Sequence, residues 1–224
     1  MEEKRTYHRI EPLIIAVEGV DGSGKTSLIR GLIKYYRRQR DIKTYVVPRK
    51  YYQLRRYIAH LMDVGAPMEP TTYLHLMAAG AMKARRVKSG LTFYDRYIDT
   101  FRVRALLFGV PAPEVKKAFQ RHYQAELTLV LKLPAKEALA RKEGKSTRIE
   151  QGSPELFKGS PFTSFEEYQT AFQQKLLQFA EKSPERYLVI DATATPEEIL
   201  KKAQERIDTM IKAKPLLLVP LLPP

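Results

Sequence analysis

An apolar run, Leu13 to Val17, passes through Glu18 into Gly19-Val20-Asp21-Gly22-Ser23-Gly24-Lys25-Thr26, after which Leu28, Ile29, Leu32, Ile33 and Tyr36 repeat at helical spacing. Few architectures accept a buried strand, a glycine-rich turn and an amphipathic helix in direct succession. The turn matches G-x-x-x-x-G-K-[ST], in which glycines let backbone N–H groups converge on phosphate oxygens, the lysine adds a point charge and the hydroxyl faces a hard cation. Gly19, Asp21, Gly22, Ser23, Gly24, Lys25, Thr26 and Ser27 are therefore the candidate residues for holding ATP, with Mg²⁺ as cofactor.

The rest of the chain repeats the same grammar. Four further runs, Thr44 to Pro48, Leu91 to Asp95, Leu127 to Leu133 and Tyr187 to Asp191, are separated by longer stretches of helical period. Most are apolar on successive residues, the mark of parallel strands covered on both faces. The predicted fold is α/β: a P-loop NTPase fold with a five-stranded parallel sheet, helices on both faces and a short lid. Phe165, Tyr168, Phe172, Leu176 and Phe179 follow Ser164 and Glu167 in capping-box spacing, and Thr195, Pro196 and Glu198 announce a final helix. Residues 144 to 161, rich in Gly, Ser and Pro and without a clear period, read as a mobile loop. No internal repeat or second composition regime breaks residues 1–224, so one domain is expected, with a lid over approximately 141–161.

Composition removes whole classes of chemistry. Among 224 residues there is no Cys, which excludes disulfides and thiolate sites, and four scattered His show no zinc spacing. Lys plus Arg exceed Asp plus Glu, 39 against 25, for a formal charge of +14, so the long-range field attracts anions and a phosphorylated partner is expected. The apolar runs fall short of the roughly 20 residues of a spanning helix, and the opening residues lack a secretory core; a cytoplasmic location without membrane contact is the expectation. The tail, residues 215–224, is almost entirely Leu, Val and Pro and is expected to pack on its own subunit or a partner.

Two further groups carry chemistry. Asp95 and Arg96 end the third run, at the sheet edge where open α/β sheets bind ligands; Asp95 with Thr26 suits the metal or its water, and Arg96 suits a second phosphate. Arg141, Lys142, Lys145 and Arg148 crowd eight residues of the lid, with 141, 145 and 148 on one side if helical, and can neutralise charge on a transferring phosphoryl group. Lys25, Asp95, Arg96, Arg141, Lys145 and Arg148 are accordingly the candidate catalytic residues.

With EGVDGSGKTSL, YDRYIDT and RKEGKSTRIE in order, the chain resembles the thymidylate kinases over nearly its whole length. The resemblance implies phosphoryl transfer from MgATP to a deoxynucleoside monophosphate, most directly dTMP to dTDP, and a homodimer. Carried over by position, it implies that Asp21, Arg49 and Arg96 meet the acceptor. Gly22, where some relatives keep an arginine, implies that the catalytic positive charge comes from the lid. The pattern departs where the acceptor base should sit: Met77 stands for an aromatic residue, Ala81 for an arginine and Arg104 for another aromatic, while Thr100 replaces the usual serine. Met77, Arg104 and, from an aromatic and basic cluster after the second run, Tyr57 complete the candidate acceptor site. Lys83, Arg85 or Arg86 could substitute for the missing arginine. These departures motivate an alternative, the same chemistry on another nucleotide, nucleoside or small acceptor. The charge motivates a third reading, a nucleotide-gated nucleic-acid-binding ATPase, which ranks last.

Overall fold

The computed structural model describes residues 10–38, 40, 42–47, 67–81 and 89–213. Arg49, Tyr57 and the rest of the aromatic and basic cluster, Lys83, Arg85, Arg86 and the apolar tail lie outside the described residues. The order of elements is β1 (Leu13–Gly19), α1 (Lys25–Arg38), β2 (Thr44–Val47), α2 (Pro70–Ala81), β3 (Leu91–Asp95), α3 (Ile98–Leu107), α4 (Ala112–Phe119), β4 (Leu127–Lys132), α5 (Ala135–Arg141), α6 (Arg148–Gln151), α7 (Phe165–Lys182), β5 (Tyr187–Asp191) and α8 (Pro196–Lys212).

All five strands are parallel, in the order β2-β3-β1-β4-β5. Every residue of β1 is buried because successive side chains enter different cores. Ile14 and Ala16 join Tyr73, Phe101, Val115, Tyr168 and Phe172 on the side covered by α2, α3, α4 and α7. Leu13, Ile15 and Val17 join Leu28, Leu32, Ile199, Ala203 and Ile207 beneath α1 and α8. The edge strands differ, since Val46 on β2 and Val189 on β5 are exposed, so the expectation of burial on both faces holds for the three inner strands only.

The helix starts follow the capping residues, with one correction. Thr195 and Glu198 form a complete box ahead of α8, with Pro196 in its first turn. Ser164 accepts from the Glu167 N–H at the start of α7, but the Glu167 carboxylate turns to the N–H and hydroxyl of Thr163. Residues 144–161 are not a structureless loop. They contain α6, with Thr147 and Glu150 as a capping box, and a parallel bridge from Phe157 to Met68, and they bury Leu156 and Phe157 in the core. The periodicity was invisible because α6 is four residues long, too short for a repeat to show.

Candidate active site

The order of the strands dictates where a ligand can lie. From β1 the chain leaves toward β3 and β2 on one side, and it returns to β4 and β5 on the other, opening a crevice at the carboxyl ends of β1 and β3. Register places Val17 beside Asp95 and Gly19 beside Leu131, so the glycine turn and the Asp95-Arg96 pair emerge together. Asp21, Gly22, Gly24, Lys25, Thr26, Ser27, Asp95 and Arg96 line one cavity of about 400 Å³ there.

Inside the turn, the Lys25 ammonium donates to the carbonyls of Val20 at 2.6 Å and Gly19 at 3.2 Å and to the Ser23 hydroxyl at 3.4 Å. Burial, and then the neighbouring Arg96 guanidinium, push its pKa down to about 7 against the pull of Asp21, Asp95 and Glu18. A phosphate brought to this lysine would supply the negative charge that its surroundings lack. Gly22 adopts φ +96°, and a Cβ there would stand 2.5 Å from the Ala138 carbonyl and 3.3 Å from Lys142 Cδ. Packing against α5 thus excludes any side chain at this position, arginine included.

Thr26 Oγ1 donates to Asp95 Oδ2 at 2.8 Å. Two hard oxygen groups at the head of α1 fit a magnesium ion, which binds through one or two protein oxygens and keeps water and phosphate for its remaining positions. Among the described residues no cluster of three or more His, Cys, Asp or Glu could hold a metal by itself, as is expected where a nucleotide completes the coordination.

Arg96 is 2% exposed and pairs with Asp21 Oδ1 at 2.7 Å, while its Nη1 donates to Thr100 Oγ1 at 3.2 Å. Its backbone sits in the left-handed region, φ 68°, with its N–H on the Val17 carbonyl. Two residues outside the motifs hold this geometry. Gln169 on α7 accepts from the Asp21 N–H at 3.1 Å and donates to Asp21 Oδ2 at 3.3 Å and the Glu150 carbonyl at 2.8 Å, tying the turn to α6. Glu18, fully buried, accepts from the N–H groups of Tyr97 at 2.7 Å and Thr100 at 3.3 Å and from the Thr100 hydroxyl. Tyr97 offers α3 no side-chain cap, so the Glu18 carboxylate serves instead and fixes the Asp95-Arg96 turn to β1.

Burial lifts the Glu18 pKa to about 7 despite Arg96 and the Thr100 hydroxyl. Because the folded state holds this proton more tightly than the unfolded one, the group reduces stability as pH rises from about 4.5 to 7, and the penalty is complete above 7. Glu18→Gln should flatten that part of the stability–pH curve, read by urea denaturation at half-unit pH steps. An unchanged slope would show that Glu18 ionises normally.

The lid cations are arranged differently from the helical expectation. α5 ends at Arg141, and Glu143 and Gly144 take φ 55° and 74°, so residues 141, 145 and 148 share no helix face. Lys145 pairs with Glu143 at 2.7 Å and Arg148 with Glu155 at 3.0 Å, all well exposed, while Lys142 pairs with Glu150 at 3.1 Å. Arg141 donates to Glu137 and to the Ala192 carbonyl and lines a second cavity of about 410 Å³. That cavity runs from Gly22, Ser23 and Ser27 to Leu28, Ala194, Pro196, Ile199 and Leu200, and its mostly apolar walls can take a planar base. Sequence reading missed these walls, because they come from the far end of the chain. Met77 and Ala81 are buried in the core under α2, and Arg104, on α3, is buried beside Tyr73, whose hydroxyl accepts from Arg104 Nη1 at 3.4 Å.

A parallel sheet of this order, carrying this lysine turn beside an Asp-Arg edge, defines a P-loop nucleotide kinase. The chain is 30% identical to a thymidylate kinase of Cereibacter sphaeroides over 209 residues, 84% of this chain and 91% of that one. It is 26% identical to a thymidylate kinase of Symbiobacterium thermophilum over 215 residues, covering 89% and 94%, and 28% identical to a probable thymidylate kinase of Methanospirillum hungatei over 211 residues, covering 87% and 93%. No family model matches the chain. It belongs to the thymidylate kinase family.

Among the described residues no helix is long and apolar enough to cross a membrane.

Proposed function

We propose that the chain transfers the γ-phosphoryl group of MgATP to a deoxynucleoside monophosphate, with dTMP as the acceptor and dTDP as the product. The observation that carries this reading is the meeting of three groups at one crevice: the Lys25 turn, the Thr26–Asp95 contact and the buried Asp21–Arg96 pair. The turn amides and Lys25 hold the β- and γ-phosphates, and the cavity bounded by Arg141 and Pro196 takes the donor base. Thr26 and Asp95 hold the magnesium ion, which neutralises phosphate charge when bound. Arg96 orients the acceptor phosphate, while Asp21 and Thr100 hold the guanidinium. An acceptor phosphate oxygen is already nucleophilic at neutral pH, so positioning and charge stabilisation suffice without a general base. Arg148 and Lys145, held only by exposed carboxylates, exchange these partners for phosphate when the 141–161 segment closes as a lid. The reading includes a single domain and a homodimer, the latter checked by sedimentation.

ADP formation should require both Mg²⁺ and dTMP, with turnover falling to background when either is omitted. Equal turnover without any nucleoside monophosphate would contradict the assignment. A different acceptor is the second reading, because Met77 and Ala81 give α2 no group for hydrogen-bonding a base and are committed to the core.

A further inference from the structure

The buried interior between α3 and α7 contains two hydrogen-bond donors that no protein group satisfies. Arg104 is 3% exposed; its Nε has no partner, and its one hydrogen bond, to the Tyr73 hydroxyl, is long at 3.4 Å. Tyr168 is fully buried and its hydroxyl has no partner either. The two lie within electrostatic reach of one another and of Asp21. Both belong to the walls of the acceptor side: Arg96 donates to Thr100, and Arg104 follows Thr100 by four residues on α3, about 6 Å further along the same face. Tyr168 precedes Gln169, which grips Asp21 in two places. The nearest buried carboxylate, Asp21, is already bonded to Arg96.

An arginine has five N–H donors and no acceptor, and leaving such groups unpaired in the interior is costly. What completes this site must therefore present acceptors, about one helical turn from a phosphate held by Arg96. We propose that Arg104 and Tyr168 form the base-reading pair of this enzyme and select acceptors whose base turns carbonyl oxygens toward α3, as thymine, uracil and guanine can, against those with an exocyclic amino group there, as in cytosine and adenine. An amino group would set N–H against a guanidinium, leaving donors on both sides unpaired. The proposal rests on the nucleoside monophosphate kinase reading and deepens it, since neither residue lies in a recognised motif and both stand far in sequence from Met77 and Ala81.

The test compares kcat/KM for dTMP, dUMP and dGMP with that for dCMP and dAMP in the wild type, Tyr168→Phe and Arg104→Met. A selectivity ratio cancels general losses of activity that a merely structural role would cause. The wild type should favour the carbonyl bases, and each substitution should reduce the ratio about tenfold or more. Tyr168→Phe removes only a hydroxyl that has no partner, so without acceptor it should also raise Tm, by roughly 2–4 °C. A variant more stable yet less selective is the expected signature.

The proposal is overturned if the wild type prefers the amino bases, or if Tyr168→Phe and Arg104→Met leave the ratio unchanged. It is overturned equally if Tyr168→Phe lowers Tm with an unchanged ratio, the result expected of a hydroxyl that merely holds a structural water. Should Arg104→Met fail to fold, Tyr168→Phe decides alone. If no monophosphate is phosphorylated at all, the kinase reading has failed, an outcome separate from phosphorylation without selection.

Discussion

Lys25→Ala should lower kcat by about 10²–10³-fold or more while leaving the protein folded. The activity loss follows from removing the one cation buried inside the glycine turn. The intact fold follows from its present surroundings, which are two carbonyls, a hydroxyl and no bonded carboxylate. In the free protein this ammonium is uncomfortable. Burial, with Arg96 second, holds its pKa near 7, whereas the unfolded chain keeps the proton up to about 10.5. Through this group stability therefore rises with pH between about 7 and 10.5, and the penalty is fully present below 7. Lys25→Ala should remove that slope and leave Tm at pH 7 at or above the wild-type value. Binding of ATP should be accompanied by proton uptake near pH 7.5, measurable by titration calorimetry in buffers of different ionisation enthalpy. A Lys25→Ala enzyme with wild-type kcat would refute the assignment.

The second large effect is expected at Arg96, and here stability and activity should fall together. Arg96→Met leaves the Asp21 carboxylate, 6% exposed, with the Gln169 amide as its remaining bonded side chain at 3.3 Å. Breaking a buried pair in this way costs about 3–5 kcal/mol. Adding Asp21→Asn to Arg96→Met removes the stranded charge and should restore much of that loss in chemical denaturation, since the two sites interact directly. Activity should not return. The KM for the acceptor should stay raised by about 10–100-fold in both proteins, because the guanidinium that grips its phosphate is missing. Full recovery of acceptor affinity in the double variant would show that Arg96 serves only to neutralise Asp21.

These two predictions come from residues that their sequence setting already exposed, and the reason is physical. Gly19 to Thr26 must be spelled nearly as it is for peptide N–H groups to converge, and Asp95-Arg96 must follow β3 to reach the same edge. The five strands were equally legible, since inner parallel strands need apolar residues on successive positions. Glu18 was the overlooked signal: an acid within a run otherwise buried on every residue requires partners, and it finds them in the uncapped start of α3. Gln169 carries no such mark. It lies one residue from Tyr168 on a helix whose apolar spacing explains itself without it, and only packing brings it to Asp21.

The lid shows how local chemistry can defeat a spacing argument. Positions 141, 145 and 148 would share a helix face, but Glu143 and Gly144 end the helix in left-handed conformations, and carboxylates nearby in sequence capture Lys145 and Arg148. The donor-base cavity was hidden for the opposite reason. Its walls, Leu28 from α1 and Ala194 to Leu200 after β5, are ordinary apolar residues whose meaning appears only when the first and last helices pack together.

The central claim is transfer of one phosphoryl group between two nucleotides held at the β1–β3 crevice. Phosphorus NMR of the enzyme with MgATP and dTMP tests it most directly. The account predicts loss of the ATP γ-phosphate signal matched by equal amounts of ADP and a deoxynucleoside diphosphate, with no build-up of inorganic phosphate. Release of the γ-phosphate as inorganic phosphate alone, with the monophosphate signal unchanged, would contradict it.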